Sequence, residues 1–98
     1  MRPNKVKVVG VRMAVNYVTG APLAADESGE CDYDKSVMSI REGMESQQER
    51  KTVLHETLHA VSDQMGLNLS EKQIVGLENG LFQVTVDNPR FWTFIRKG

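Results

Sequence analysis

One cysteine and two histidines are all that these 98 residues offer as thiol or imidazole ligands. The lone Cys31 excludes an internal disulfide and any cysteine-rich zinc knuckle. There is no excess of charge of one sign either: 12 Lys and Arg against 13 Asp and Glu leave a net charge of −1, spread along the chain. That balance gives no footprint for nucleic acid or for an anionic membrane surface, and argues against a DNA-binding module. No apolar run approaches membrane-spanning length, and Met1-Arg2-Pro3-Asn4-Lys5-Val6-Lys7 lacks the apolar stretch of a secretory signal, so a soluble, cytoplasmic protein is expected. With 40% hydrophobic residues, the length suits one small globular domain spanning residues 1–98, with a modest core.

Lys5 to Val18 is valine-rich and broadly alternating, with a change of phase at Gly10. It reads as two short strands joined near Gly10, or one bulged strand. Gly20 to Glu30 is polar and turn-like, and Cys31 to Asp34 leads into a third strand. Ser36 to Arg41 alternates, with Met38 and Ile40 on one side and Val37, Ser39 and Arg41 on the other. Ser46-Gln47-Gln48-Glu49 fits a capping box, which starts a helix that runs to Met65 and stops at Gly66. Its expected apolar stripe is Leu54, Leu58, Val61 and Met65. Ser70-Glu71-Lys72-Gln73 is a second capping box, opening a helix to Val86 whose apolar side is Ile74, Val75, Leu77, Leu81 and Phe82. Pro89 opens a short terminal helix or turn, whose Phe91, Trp92, Phe94 and Ile95 would cover an exposed part of the core. The fold class is α+β: a small antiparallel sheet of about three strands packed on a helical hairpin.

Both histidines fall in His55-Glu56-Thr57-Leu58-His59. Drawn at ordinary frequencies, an HExxH string arises in about one chain of this length in several hundred. On a helix, positions i and i+4 share one face about 6 Å apart, so both imidazoles can reach one metal ion with Glu56 beside them. A catalytic zinc ion takes three protein ligands and leaves a fourth position for water. The third must be a carboxylate or, less favourably, Cys31. Asp63 lies eight residues past His55, about 12 Å along the axis, too far for one straight helix to wrap an ion.

The second helix is therefore the expected source. Counting outward from a loop centred near Asn68, Glu78 stands level with His59, whereas Glu71 stands level with Gly66, about 10 Å further along. Glu78 also interrupts an apolar side, where an unpaired carboxylate is costly to desolvate. Glu78 is thus the first choice for third ligand and Glu71 the second, although Glu71 is also suited to the helix dipole in a first turn. Gly76 and Gly80 flank Glu78, each costing about 1 kcal/mol against alanine in a helix interior. Close approach of the two helices would explain them, as would a merely marginal helix.

Glu56 follows the first histidine directly, so its carboxylate can face a water at the ion without binding the ion, and act as general base in amide hydrolysis. An extended peptide is expected along the strand Val37 to Arg41, and Tyr17, Tyr33 or an arginine is available to stabilise the oxyanion.

The segments Cys31-Asp32-Tyr33-Asp34, Ser36 to Arg41, Glu49 to Ala60 and Gly66 to Glu71 resemble, in order and spacing, small phage- and prophage-encoded HExxH proteins similar to the minimal zincin domain of the ImmA/IrrE metallopeptidase group. The resemblance implies a zincin-like fold, zinc held by His55, His59 and a carboxylate of the following helix, Glu56 as general base, and action in the cytoplasm of a bacterial host. No additional sensor or DNA-binding domain of the larger relatives fits within this length. The expected function is a zinc-dependent protease acting on a peptide or protein substrate, with no nucleic-acid or membrane partner. The alternative is a non-catalytic binding module in which the metal staples the helices.

Overall fold

A two-residue turn at Val9-Gly10 begins the architecture, because both residues adopt left-handed backbone angles, φ 47° and 83°. Such a turn matches the twist of paired strands and is favoured by glycine. The computed structural model describes residues 2–21 and 23–97; the 1–98 span expected for the domain also includes Met1, Pro22 and Gly98, which lie outside the described residues. Strands β1 (Lys5–Val8) and β2 (Val11–Val18) flank the turn as an antiparallel pair. They are followed by β3 (Gly29–Asp32), β4 (Val37–Arg41), α1 (Ser46–Met65), α2 (Glu71–Asp87) and α3 (Phe91–Arg96).

The sheet order is β1-β2-β4-β3, with β2 and β4 parallel and β4 and β3 antiparallel. Two expectations are corrected here. The sheet has four strands rather than about three, and it is mixed rather than antiparallel. The extra strand is only Gly-Glu-Cys-Asp, uniformly half-buried, so it carries no alternation by which a strand is recognised. The parallel pair arises because the segment between β2 and β3 spans the width of one strand, leaving a slot that β4 then fills. Arg41 holds that crossover: its Nε donates to Glu27 O at 2.7 Å, its Nη2 to Ala24 O at 2.5 Å, and its backbone N–H to Ser28 O at 2.8 Å.

The core lies between the sheet and α1 and comprises Val8, Met13, Val15, Met38, Ile40 and Ala60. Met38 and Ile40 are fully buried, as their phase in β4 requires. The buried residues of α1 are Thr52, Glu56, Ala60 and Ser62, not the expected stripe, and Met65 is exposed. Only Val61 of that stripe packs on the core, joined by Val53. Small and polar groups face the sheet because β3 comes very close: a Cβ on Gly29 would stand 3.0 Å from Thr52 Cγ2, 3.1 Å from Glu56 Cγ and 3.0 Å from Ser39 O.

The start of α1 also differs by one residue. Glu45, in extended conformation, is the N-cap and accepts from the Gln47 N–H, while Ser46 is already helical and its hydroxyl accepts from Arg50 Nη2 at 2.7 Å. The end at Gly66 (φ 66°) and the Ser70/Gln73 capping box of α2 form as the sequence indicates. In α2 only Ile74 is buried; Val75 and Leu77 are exposed. Helix α3 does not cover the core. Trp92 leans back on α2 through a 2.7 Å hydrogen bond from Nε1 to Thr85 Oγ1, and Phe94 is 76% exposed.

Gly76 and Gly80 have open space where a Cβ would go, so close helix approach does not explain them. Gly76→Ala should therefore stabilise the protein by about 1 kcal/mol in urea denaturation. Gly29→Ala, crowded on three sides, should destabilise it by about 1–3 kcal/mol in the same measurement.

Candidate metal centre

Helical spacing brings the two imidazoles of α1 together, with ring centroids 4.9 Å apart in an edge-to-face arrangement. Their Nε2 atoms converge on one oxygen, Glu71 Oε1, at 2.9 Å from His55 and 3.0 Å from His59. The remaining ring nitrogen of His55, Nδ1, lies 2.7 Å from Glu78 Oε1. His55, His59 and Glu71 form a group with ligand atoms within 4.8 Å of one another, the one His/carboxylate group of metal-binding dimensions among the described residues. Glu78 and Cys31 are outside that group.

The register between the helices explains which carboxylate arrives where. The connection after Gly66 does not continue outward from α1 but folds back along its last turn. Leu67 N–H donates to Ser62 O at 2.9 Å, and Leu69 N–H to the Ser62 hydroxyl at 2.9 Å. Ser62 is buried, and Asn68 takes the left-handed φ of 54° that the reversal needs. Helix α2 consequently begins beside His59 instead of beside Gly66. Glu71 reaches both Nε2 atoms, and Glu78 meets His55 one turn earlier than the symmetric count implies. Lys51, a turn earlier again, donates to Asn79 Oδ1 at 2.7 Å. Ser62 carried no signal in the sequence beyond being a serine in a last helical turn.

The donor set fits a cation. Both ring nitrogens of His55 face carboxylate oxygens, so Nε2 satisfies Glu71 only by carrying a proton or by sharing a positive ion with it. The carboxylate on Nδ1 fixes ring orientation and tautomer, as outer carboxylates do for metal-bound histidines. Glu71 is well exposed at the cleft mouth, whereas Glu78 is enclosed.

Glu56 turns toward the sheet and is 7% exposed, yet it lines the same cleft of about 740 Å³. Among the described residues no N–H or O–H donor is hydrogen-bonded to its carboxylate; the thiol of Cys31 lies beside it. Burial raises its pKa, an effect opposed by His55, His59 and the Cys31 thiol and reinforced by Glu71. Cys31 Sγ donates to the backbone oxygen of Glu56 at 3.4 Å. Burial, then the charge of Glu56, pushes this thiol up to about 12.

Tyr33 lines the cleft, and its phenol is also pushed up, first by burial and then by Cys31 and Asp63. Tyr17 is occupied elsewhere: its hydroxyl donates to Pro3 O at 2.7 Å, and the Arg2 guanidinium sits 3.6 Å from its ring centre.

The strand beside the cleft also differs from expectation. Val37–Arg41 is a central strand, paired on both sides, so it has no free edge for an added peptide. The edge strand that borders the cleft is β3. Because Ser28 O accepts from Arg41 N–H, residues 28, 30 and 32 turn their backbone groups toward β4. The period of two then leaves those of Gly29 and Cys31 pointing outward.

Fold and site together define an α+β protein with a His/His/carboxylate group on two helices, a buried glutamate beside it and an open strand edge along the cleft. No family model, curated protein or solved structure matches this chain.

The depressed acidity of Cys31 sets a measurable rate. Its thiolate fraction should be about a thousandfold below that of an ordinary thiol, partly offset by the greater nucleophilicity of a more basic thiolate, so alkylation by iodoacetamide at pH 8 should run roughly 50-fold slower than for an exposed cysteine peptide. A rate equal to the peptide's would contradict the burial described.

Proposed function

We propose that this chain is a zinc-dependent peptidase of minimal zincin type, in which α1 and α2 act as the metal-binding helical hairpin. The observation that carries this reading is the convergence of both HExxH Nε2 atoms on a single Glu71 oxygen, with Glu56 buried beside them. His55, His59 and Glu71 would hold the ion, and Glu78 would orient His55 through Nδ1. Zinc, when bound, supplies Lewis acidity toward a water molecule and toward the scissile carbonyl.

The remaining work falls to the protein's own groups. Glu56 accepts the proton of the attacking water on its carboxylate and delivers it to the leaving amine. Its raised pKa suits that role, because burial favours the form that holds the proton. The outward backbone groups of Gly29 and Cys31 pair with an extended peptide, fixing its carbonyl near Glu56. The Tyr33 phenol, kept protonated, donates to the oxygen on which negative charge develops. These features support the likeness to the ImmA/IrrE group. Among the described residues no helix is long and apolar enough to cross a membrane, in keeping with a reaction in the cytoplasm.

One observation favours a second reading, a metal-stapled binding module without turnover: α2 buries only Ile74, so an ion shared by α1 and α2 would add a tie the packing lacks. Glu56→Gln separates the two. The peptidase reading expects zinc to be retained and hydrolysis of an unfolded protein substrate to fall by at least about 100-fold; unchanged biological activity in that variant would favour the module. In a chelator competition, Glu71→Ala should weaken zinc binding more than Glu78→Ala, whose loss should be about 10–100-fold. The reverse order would overturn the ligand assignment.

A further inference from the structure

The apolar residues of α3 cover no part of the core, and none of them is buried. At about 100° per residue, Phe91, Trp92, Phe94 and Ile95 fall within an arc of about 160° on one side of the helix. Thr93 and Arg96 take the other side, with Arg90 and Lys97 at the two ends as N-cap and C-cap. The apolar side is open to solvent: Phe94 is 76% exposed, Ile95 58% and Trp92 47%. The polar end of the indole is satisfied by Thr85, and the Phe91 ring meets Trp92 edge-to-face at 5.0 Å. The face is thus ordered and yet has no partner within the fold.

Charge says what would cover it. Residues 88–97 carry Arg90, Arg96 and Lys97 and no acidic residue, in a protein whose net charge is −1. Among the described residues none of these three cations is in a salt bridge. The whole-chain balance that argued against a membrane partner averages over this local excess. A symmetric contact between two copies of α3 would bring like charges together, which opposes self-association through this face. Rings and an aliphatic group on one side, with cations on the other side and at both ends, suit a helix lying in a membrane interface. There the apolar groups enter the boundary between headgroups and acyl chains while the cations stay with the lipid phosphates.

We propose that α3 docks this protein on an anionic bilayer surface, with Phe94, Ile95 and the outer part of Trp92 inserted and Arg90, Arg96 and Lys97 set against the headgroups. At 6 residues the helix lies in the interface and spans nothing. Its binding is reversible and salt-sensitive, because so short an apolar face is a weak anchor and the cations supply the rest. The inference is independent of the peptidase reading, which rests on α1, α2 and β3.

Trp92 is the only tryptophan of the chain and lies in the proposed face, so its own emission reports docking. The full-length protein is titrated with phosphatidylcholine vesicles, with or without about 30 mol% phosphatidylglycerol, and co-sedimentation is measured in parallel. The anionic vesicles should bind at least about tenfold more tightly at low salt, shift Trp92 emission to shorter wavelength, and lose most of that advantage when salt is raised. Brominated acyl chains should quench Trp92 in the unaltered protein. The double variant Phe94→Ser, Ile95→Ser should abolish binding, and Arg96→Gln, Lys97→Gln should reduce the preference for anionic vesicles; all four side chains are exposed, so far-UV circular dichroism should not change. No binding to the anionic vesicles, binding without a shift or quenching of Trp92, or binding that survives the Phe94/Ile95 substitutions would overturn the proposal. So would self-association that shifts Trp92 emission in the absence of vesicles, which would assign the face to a second copy.

Discussion

The fold-back of the chain onto Ser62 sets the geometry of the candidate metal centre. Two hydrogen bonds, from Leu67 to the Ser62 carbonyl and from Leu69 to its hydroxyl, decide how far along α1 the next helix starts. Each turn of shift would move every carboxylate of α2 by about 5.4 Å relative to the imidazoles. With the tether as it is, Glu71 meets both Nε2 atoms and Glu78 meets Nδ1 of His55. A connection that continued outward would place Glu78 level with His59 and leave Glu71 stranded near Gly66. The division of labour between the two carboxylates is thus set by a buried serine that touches neither histidine in sequence or role.

A second constraint acts from the sheet side. Gly29 lets β3 lie against Thr52 and Glu56 so closely that any side chain would collide. That approach buries Glu56, raises its proton affinity and brings the thiol of Cys31 alongside. It also makes the outer edge of β3 one wall of the cleft. On the proposed reading, peptide binding and proton transfer are linked through this same four-residue strand.

Much of this was legible in the residues, and the failures have definite causes. The HExxH helix, its stop at Gly66, the Ser70/Gln73 cap and the inward phase of Met38 and Ile40 each depend on local spacing, which the sequence displays directly. The strand at Gly29–Asp32 was hidden because four half-buried residues show no alternation. The central position of Val37–Arg41 and the parallel pair depend on a crossover held by Arg41, a contact between residues 14 and 17 positions apart. The stripe that periodicity predicts for α1 is not its buried face, because Thr52, Glu56 and Ala60 face the sheet in place of the leucines, a choice dictated by the nearness of β3. The pairing of Glu71 with the histidines depended on the Ser62 tether, which no periodicity reveals.

The central claim is that His55, His59 and Glu71 grip one ion through Nε2, Nε2 and a carboxylate oxygen while Glu78 stands behind His55. Anomalous diffraction at the zinc edge from crystals of the zinc-loaded protein addresses it directly. The account predicts a single strong peak bonded to those three groups, with an open position facing Glu56. A peak bonded to Glu78 or Cys31 in place of Glu71, or one enclosed by four protein ligands, would contradict it.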